Sequence, residues 1–160
     1  MNVPTKSEIL NPQSAIVFSL LSTIPDPEIP VITISDLGIL RDVSFENEKA
    51  IITITPTYSG CPAMKAIENE IADVLTKNGI ENFEIRYTFS PAWTTDWMNE
   101  EAKEKLRVYG IAPPSPKKKI ACPRCASTHV EMISMFGSTA CKSLYRCLDC
   151  REPFDYFKCH

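Results

Sequence analysis

Histidine and glycine are scarce in this sequence, two and five residues of 160. No Gly-rich phosphate loop, no Gly-x-Ser-x-Gly and no His-Glu-x-x-His occurs. Hydrolase and kinase chemistry therefore lack their visible apparatus. Long apolar runs are missing as well: Ala15-Ile16-Val17-Phe18 and Ile51-Ile52 are far too short to span a bilayer. The opening stretch from Met1 to Leu10 has no basic region followed by an apolar core, so no signal peptide is expected. With 44% hydrophobic and 23% charged residues, bulk disorder is excluded too. The expectation is a cytoplasmic protein without membrane association.

What the sequence does have is cysteine, seven in all. In a reducing compartment thiols serve as metal ligands or reactive groups rather than as cross-links. Charge is distributed unevenly. Residues 1–111 carry nine Lys/Arg against sixteen Asp/Glu, and residues 112–160 carry eight against four. The acidic first part is a poor nucleic-acid binder, because that affinity rests on neutralising phosphates. The basic second part leaves a nucleic-acid adaptor open as an alternative, although four thiolates around one divalent ion would offset half of its excess.

The chain divides at Ala112-Pro113-Pro114-Ser115-Pro116-Lys117-Lys118-Lys119, a stiff, solvated linker without apolar periodicity. Three segments are expected: an α/β domain over 1–111, the linker over 112–119 and a small β domain over 120–160. In the first, Ile16, Val17, Leu20, Leu21 and Ile24 mark one helix face, which Pro25, Pro27 and Pro30 end. After a long loop, residues 39–45 and 50–55 read as a hairpin turning at 46–49. A helix over 63–77 presents Met64, Ile67, Ile71, Val74 and Leu75, and Asn78-Gly79 stops it. Phe83, Ile85, Tyr87 and Phe89 alternate with polar residues, the clearest half-buried strand in the chain. Asp96 suits the N-cap of a last helix over about 99–108. The fold class is α+β, an αββαβα sheet-and-helix domain followed by a β mini-domain.

The strongest chemical signal is Cys122-Pro123-Arg124-Cys125 and Cys147-Leu148-Asp149-Cys150, two Cys-x-x-Cys turns separated by 21 residues. Each turn places two sulfurs on one metal, and the two together close a tetrahedron with no open position. A structural zinc ribbon is the first reading; a rubredoxin-like iron or a cluster, and disulfides, are the alternatives. A segment this short buries little core, so the metal supplies much of its stability. Cys141 and Cys159, with His160 beside the latter, form a candidate second metal site, against the plainer reading of Cys141 as a buried apolar residue. His129 has no role in this reading.

Cys61 sits between Gly60 and Pro62 at a helix start, where unpaired N–H groups and the helix dipole favour a thiolate. It is either reactive or metal-ligating, or it packs under a loop. Asp26, Glu28 and Asp36 place carboxylates in a proline-stiffened loop, either for proton transfer or cation binding or as plain caps. Trp93 and Trp97 read as core anchors.

Asp26-Pro27-Glu28-Ile29-Pro30, Asp36-Leu37-Gly38, Gly60-Cys61-Pro62 and Pro91-Ala92-Trp93-Thr94, in this order, resemble the metal–sulfur-cluster biosynthesis family over about residues 12–111. Phe136-Gly137-Ser138-Thr139-Ala140-Cys141-Lys142 and the stretch from Glu152 to Cys159 make the whole chain similar to the family of D subunits of phenylacetyl-CoA monooxygenase (1,2-epoxidase). The resemblance implies an accessory protein of phenylacetate catabolism, not itself an enzyme. It assigns iron or cluster handling to Cys61, with Asp26 and Glu28 in the other recurrent motif. It also implies zinc in the ribbon, transient iron or an iron–sulfur cluster, and an oxygenase or reductase subunit of the epoxidase as partner. One Cys61 cannot hold a cluster alone, so a homodimer, a partner's thiols or Cys141 and Cys159 would have to contribute. A zinc-ribbon docking subunit and a thiol enzyme are the competing classes; the second lacks a resolving cysteine in the first domain.

Overall fold

The computed structural model describes residues 11–58, 60–115 and 119–158. They form two compact units, Met1–Trp97 and Met98–His160. The division precedes the last helix, whereas the sequence pattern puts it at the Pro/Lys segment.

In the first unit, α1 spans Pro12–Leu21, with the Asn11 side chain accepting the Gln13 N–H at 2.9 Å. The helix is shorter than its apolar spacing predicts. Ser22 and Thr23 turn their hydroxyls back onto the Phe18 and Leu20 carbonyls at 2.7 and 2.8 Å and satisfy the end of the helix. Its buried face is Ser14, Val17 and Leu21, while Ile16, expected inside, is 61% exposed. Ile16 lies about 100° around the axis from Val17, too far to share one contact stripe.

The loop that follows is core rather than surface: Ile24, Ile29, Ile32, Ile34 and Leu37 are all buried. An isolated antiparallel bridge between Pro25 and Thr33 closes it. β1 (Leu40–Glu46) and β2 (Lys49–Ile54) then form the expected hairpin. Its two-residue turn, Asn47 and Glu48, has φ of 48° and 65°. Both central residues are left-handed, which matches the right-handed twist of the flanking strands.

α2 (Ala63–Lys77) crosses over to β3 (Phe83–Tyr87), which joins β2 in parallel, giving the order β1-β2-β3. Met64, Ile67, Ile71 and Leu75 fix the buried face of α2. β3 departs from its pattern: no residue in it is fully buried, and Tyr87 and the following Phe89 are exposed. It is an edge strand, so alternation selects a face without guaranteeing a cover for it.

In the second unit, α3 (Glu100–Tyr109) is capped by Asn99, whose side chain accepts the Ala102 N–H at 2.7 Å; Asp96 instead lies in a 3₁₀ turn over Thr95–Trp97. Gly110, at φ 98°, ends the helix and leads into β4 (Ile111–Ala112). Ala112, read as the start of the linker, is therefore a strand residue, and it is buried. β4 pairs in parallel with β7 (Pro153–Phe157), and β6 (Lys142–Cys147) and β5 (Val130–Ser134) follow antiparallel, in the order β4-β7-β6-β5. One cluster of the core beneath comprises Ala112, Cys122, Cys147, Phe154 and Tyr156, flanked by Ile120, Val130, Tyr145 and Cys150. Two of the five central residues are cysteines of the knuckles. No helix among the described residues is long and apolar enough to cross a membrane.

Candidate metal centre and candidate thiol site

The four ribbon cysteines converge. One ligand atom from each of Cys122, Cys125, Cys147 and Cys150 lies within 4.8 Å of the other three. Two contacts run across the knuckles, Cys122 to Cys150 at 3.7 Å and Cys125 to Cys147 at 3.5 Å between sulfurs. Four thiolates at about 2.3 Å from one tetrahedral ion stand about 3.8 Å apart. The observed spacing therefore suits a single ion. A multi-iron cluster, whose ligand sulfurs sit on different irons, needs them further apart. All four are free thiols, so the disulfide alternative is not the arrangement present.

Each knuckle is wound the same way. The residue after its second cysteine is left-handed, Ala126 at φ 61° and Arg151 at φ 64°. This turn aims backbone N–H groups at sulfur: those of Cys150 and Asp149 at Cys147, that of Ser127 at Cys125 and that of Glu152 at Cys150. The Cys150 N–H first, and that of Asp149 after it, hold the Cys147 thiol down to about 6. A donor facing sulfur favours thiolate, the form that binds metal, yet burial and the neighbouring thiols raise Cys125 and push Cys150 up to about 12 despite their own donors.

A clasp without a counterpart in the sequence pattern joins the knuckles. The Ser127 hydroxyl donates to Asp149 Oδ2, and His129 Nδ1 stands 3.3 Å from Asp149 Oδ1. The Ser127 bond first, and the His129 contact after it, hold the Asp149 carboxyl below its usual range. The Leu148 N–H donates to the His129 carbonyl at 2.8 Å, a backbone tie on the same side. His129, given no role from sequence, thus bridges the two turns. The only local signal was a serine two residues after one knuckle and an aspartate inside the other.

Cys141 is not part of this group. It is buried on the approach to β6, with the Thr139 hydroxyl 3.0 Å from its sulfur and the Lys158 N–H on its carbonyl at 3.0 Å. Cys159 and His160, the other members of the anticipated second site, lie outside the described residues, as do Lys117 and Lys118 of the linker.

In the first unit, Cys61 is half-buried, just ahead of α2. Its sulfur stands 3.9 Å from the Thr57 hydroxyl, and the N-cap residue of α2, Pro62, makes no side-chain cap. Two turns further along α2, Glu68 accepts the Tyr87 hydroxyl at 2.6 Å and pairs with Lys65 at 3.1 Å. The Tyr87 bond first, and Lys65 after it, hold the Glu68 carboxyl below its ordinary value. Burial, then the Glu68 contact and last the Cys61 charge raise the Tyr87 phenol far above its own. A protonated phenol and an ionised carboxylate thus stand in the electrostatic neighbourhood of Cys61.

Asp26 is buried, and its Oδ1 accepts the N–H groups of Glu28 and Ile29 at 2.9 and 2.8 Å. It winds the loop as an Asx turn. Glu28 is half-buried beside it. Asp36 does similar work: it accepts the Thr33 N–H at 3.0 Å while its own N–H bonds the Thr33 hydroxyl at 3.0 Å.

Comparison with known proteins agrees with both halves. Residues 14–81 match the family described as iron–sulfur cluster assembly protein, and residues 111–158 match the PaaD zinc beta ribbon domain. A domain of unknown function from Bacillus anthracis, known from its crystal structure, is 32% identical with a TM-score of 0.52, and covers 58% of this chain and 90% of its own. An Fe-S protein maturation auxiliary factor of Porphyromonas gingivalis (strain ATCC BAA-308 / W83) is 35% identical over 62% of this chain and 95% of itself. These two relatives align with little more than half of the chain. A protein of Escherichia coli (strain K12), provisionally named as the D component of 1,2-phenylacetyl-CoA epoxidase, is 52% identical over 94% of this chain and 96% of its own length. Both the assembly-type unit and the cysteine ribbon fall within that alignment, and the chain belongs to the family of phenylacetyl-CoA epoxidase D subunits.

Proposed function

We infer that this protein is an accessory factor of a phenylacetyl-CoA epoxidase system that assembles or inserts the iron or iron–sulfur centre of an epoxidase component, and is not itself the oxygenase. The observation that carries this reading is a division of labour between thiols. The four ribbon cysteines close on one another and leave no open position, which suits a permanent structural ion, zinc before iron. Cys61 stands apart, half-buried and with no other described thiol in its group, which suits transient contact with metal. The family described as iron–sulfur cluster assembly protein covers Cys61, and relatives of that part of the chain are named Fe-S protein maturation auxiliary factors.

In this reading Cys61 supplies one thiolate, and the remaining ligands come from the client or from a second copy. Tyr87 and Glu68 tune the polarity around it. Asp26 acts through the backbone of its loop, with Glu28 beside it at the rim. The oxygenase and the reductase of the epoxidase are the proposed clients.

Cys61→Ser changes one atom and tests the reading. Fold and ribbon metal should survive, while the epoxidase components of cells carrying the variant should be made but lack iron or cluster, and growth on phenylacetate should fail. Full metal loading and normal growth would remove the maturation role and leave a structural docking protein.

A further inference from the structure

Four large apolar residues of one short segment are exposed at one border of the ribbon. Met132, Ile133, Met135 and Phe136 are 50%, 52%, 62% and 64% exposed. None belongs to the core cluster of this unit. Large apolar side chains exposed this close together in the chain mark an interaction site. They lie on or just after β5, which is the outer strand of its sheet and pairs among the described residues with β6 alone.

Two features identify what would cover them. The first is the strand edge, whose outward N–H and C=O groups accept a further strand. The register moves two residues on β5, from Met132 to Ser134, while β6 moves one, from Tyr145 to Leu144. This bulge shortens the open ladder, so side chains must supply most of the contact. The second is charge. Lys158 reaches this border, its Nζ 4.7 Å over the Phe136 ring and 3.0 Å from the Met135 carbonyl, and no carboxylate among the described residues pairs with it. Met98–His160 carries eleven Lys/Arg against seven Asp/Glu, an excess of four positive charges. A dianionic metal–thiolate group would halve that excess without reversing it. Self-pairing through β5 would set two positive units against each other, whereas an acidic partner gains from the same field.

We propose that this border docks an extended acidic segment of another protein, with alternate apolar side chains on Met132, Met135 and Phe136 and a carboxylate on Lys158. The proposed contact uses neither Cys61 nor the four ribbon thiols.

The probe is a labelled synthetic peptide alternating valine and aspartate, titrated into the full metal-loaded chain, with polyaspartate and a valine/lysine peptide as comparisons. The valine/aspartate peptide should bind saturably and better than either comparison. Met132→Lys and Phe136→Ser should each weaken it by at least about tenfold, and Lys158→Gln by less. Metal content and the amide spectrum identify any variant that fails to fold; Met132→Thr then takes the place of Met132→Lys. Equal binding of polyaspartate, or binding indifferent to Met132 and Phe136, would overturn the proposal. So would a dimer of the unliganded protein that Met132→Lys abolishes, because a second copy would then be the occupant.

Discussion

The indole N–H of Trp93 donates to the Leu37 carbonyl at 2.7 Å, across 56 positions of sequence. This bond ties two of the recurrent motifs to each other, because Gly38, the next residue, sits against the following tryptophan. Gly38 has φ 75°, and a Cβ built on it would come within 3.3 Å of Trp97 Cβ. Arg41 in turn lies 4.0 Å over the Trp97 ring. Motifs that carry the family resemblance here hold a loop.

Trp93→Phe should therefore act on stability. It leaves a buried carbonyl without its donor, at about 1–3 kcal/mol. Gly38→Ala should cost about 1–2 kcal/mol, from the left-handed backbone alone. Urea unfolding of the full chain measures both; a midpoint unchanged in either variant contradicts this account.

Elemental analysis of the purified protein should find about one zinc per chain, and X-ray absorption four sulfur neighbours at about 2.3 Å. Cys122→Ser or Cys147→Ser, or chelation, should release the ion and raise amide exchange throughout β5 to β7 while sparing α2. Both cysteines are buried in the ribbon core, so losing the ion opens the core as well. Unchanged exchange after chelation would mean that the ribbon stands without metal.

Arg151→Gly should tighten the ribbon. A left-handed backbone costs a side-chain-bearing residue about 1–2 kcal/mol, and glycine's extra freedom in the unfolded chain returns about 0.5–1 kcal/mol of that. A net gain of about 0.5–1 kcal/mol should appear as slower metal loss to a chelator. Ala126→Gly, at the equivalent turn, should change it in the same direction.

Glu84 gives a test by pH. It bonds Arg86 at 2.7 Å and Lys49 at 3.0 Å, and Arg86 also bonds Glu46 at 2.8 Å. The Arg86 bond first, and the Lys49 bond after it, hold the Glu84 carboxyl at about 2, below an ordinary 4.5. A depressed folded value means stabilisation that is complete above 4.5 and is lost as pH falls through about 2. Carboxyl NMR should find its midpoint near that lower value, and Glu84→Gln should reduce the acid-range dependence, to which Glu68 and Asp149 also contribute. Added salt should shrink the effect, because these side chains are exposed. A midpoint near 4.5 would show that the pairs do not form in solution.

By itself the sequence determined whatever is written in short spacings. Gly60-Cys61-Pro62 and Asn78-Gly79 bracket α2, Glu46 to Lys49 turns the hairpin, and two Cys-x-x-Cys units mark the four thiols that converge, because caps, turns and paired thiols are local chemistry. Tertiary structure alone decided where those pieces meet. Alternation in β3 reports a face that prefers apolar cover, yet the strand's place at an edge leaves Phe89 exposed. Ala102 and Leu106 are the buried residues of α3, and their spacing does not say what they pack on, so its grouping with the ribbon was not legible. Nor was the clasp of Ser127, His129 and Asp149, or the seat of Trp93 on Leu37. Such bonds join residues far apart in the chain, and no periodicity in one segment records which distant group the folded backbone brings within hydrogen-bonding reach.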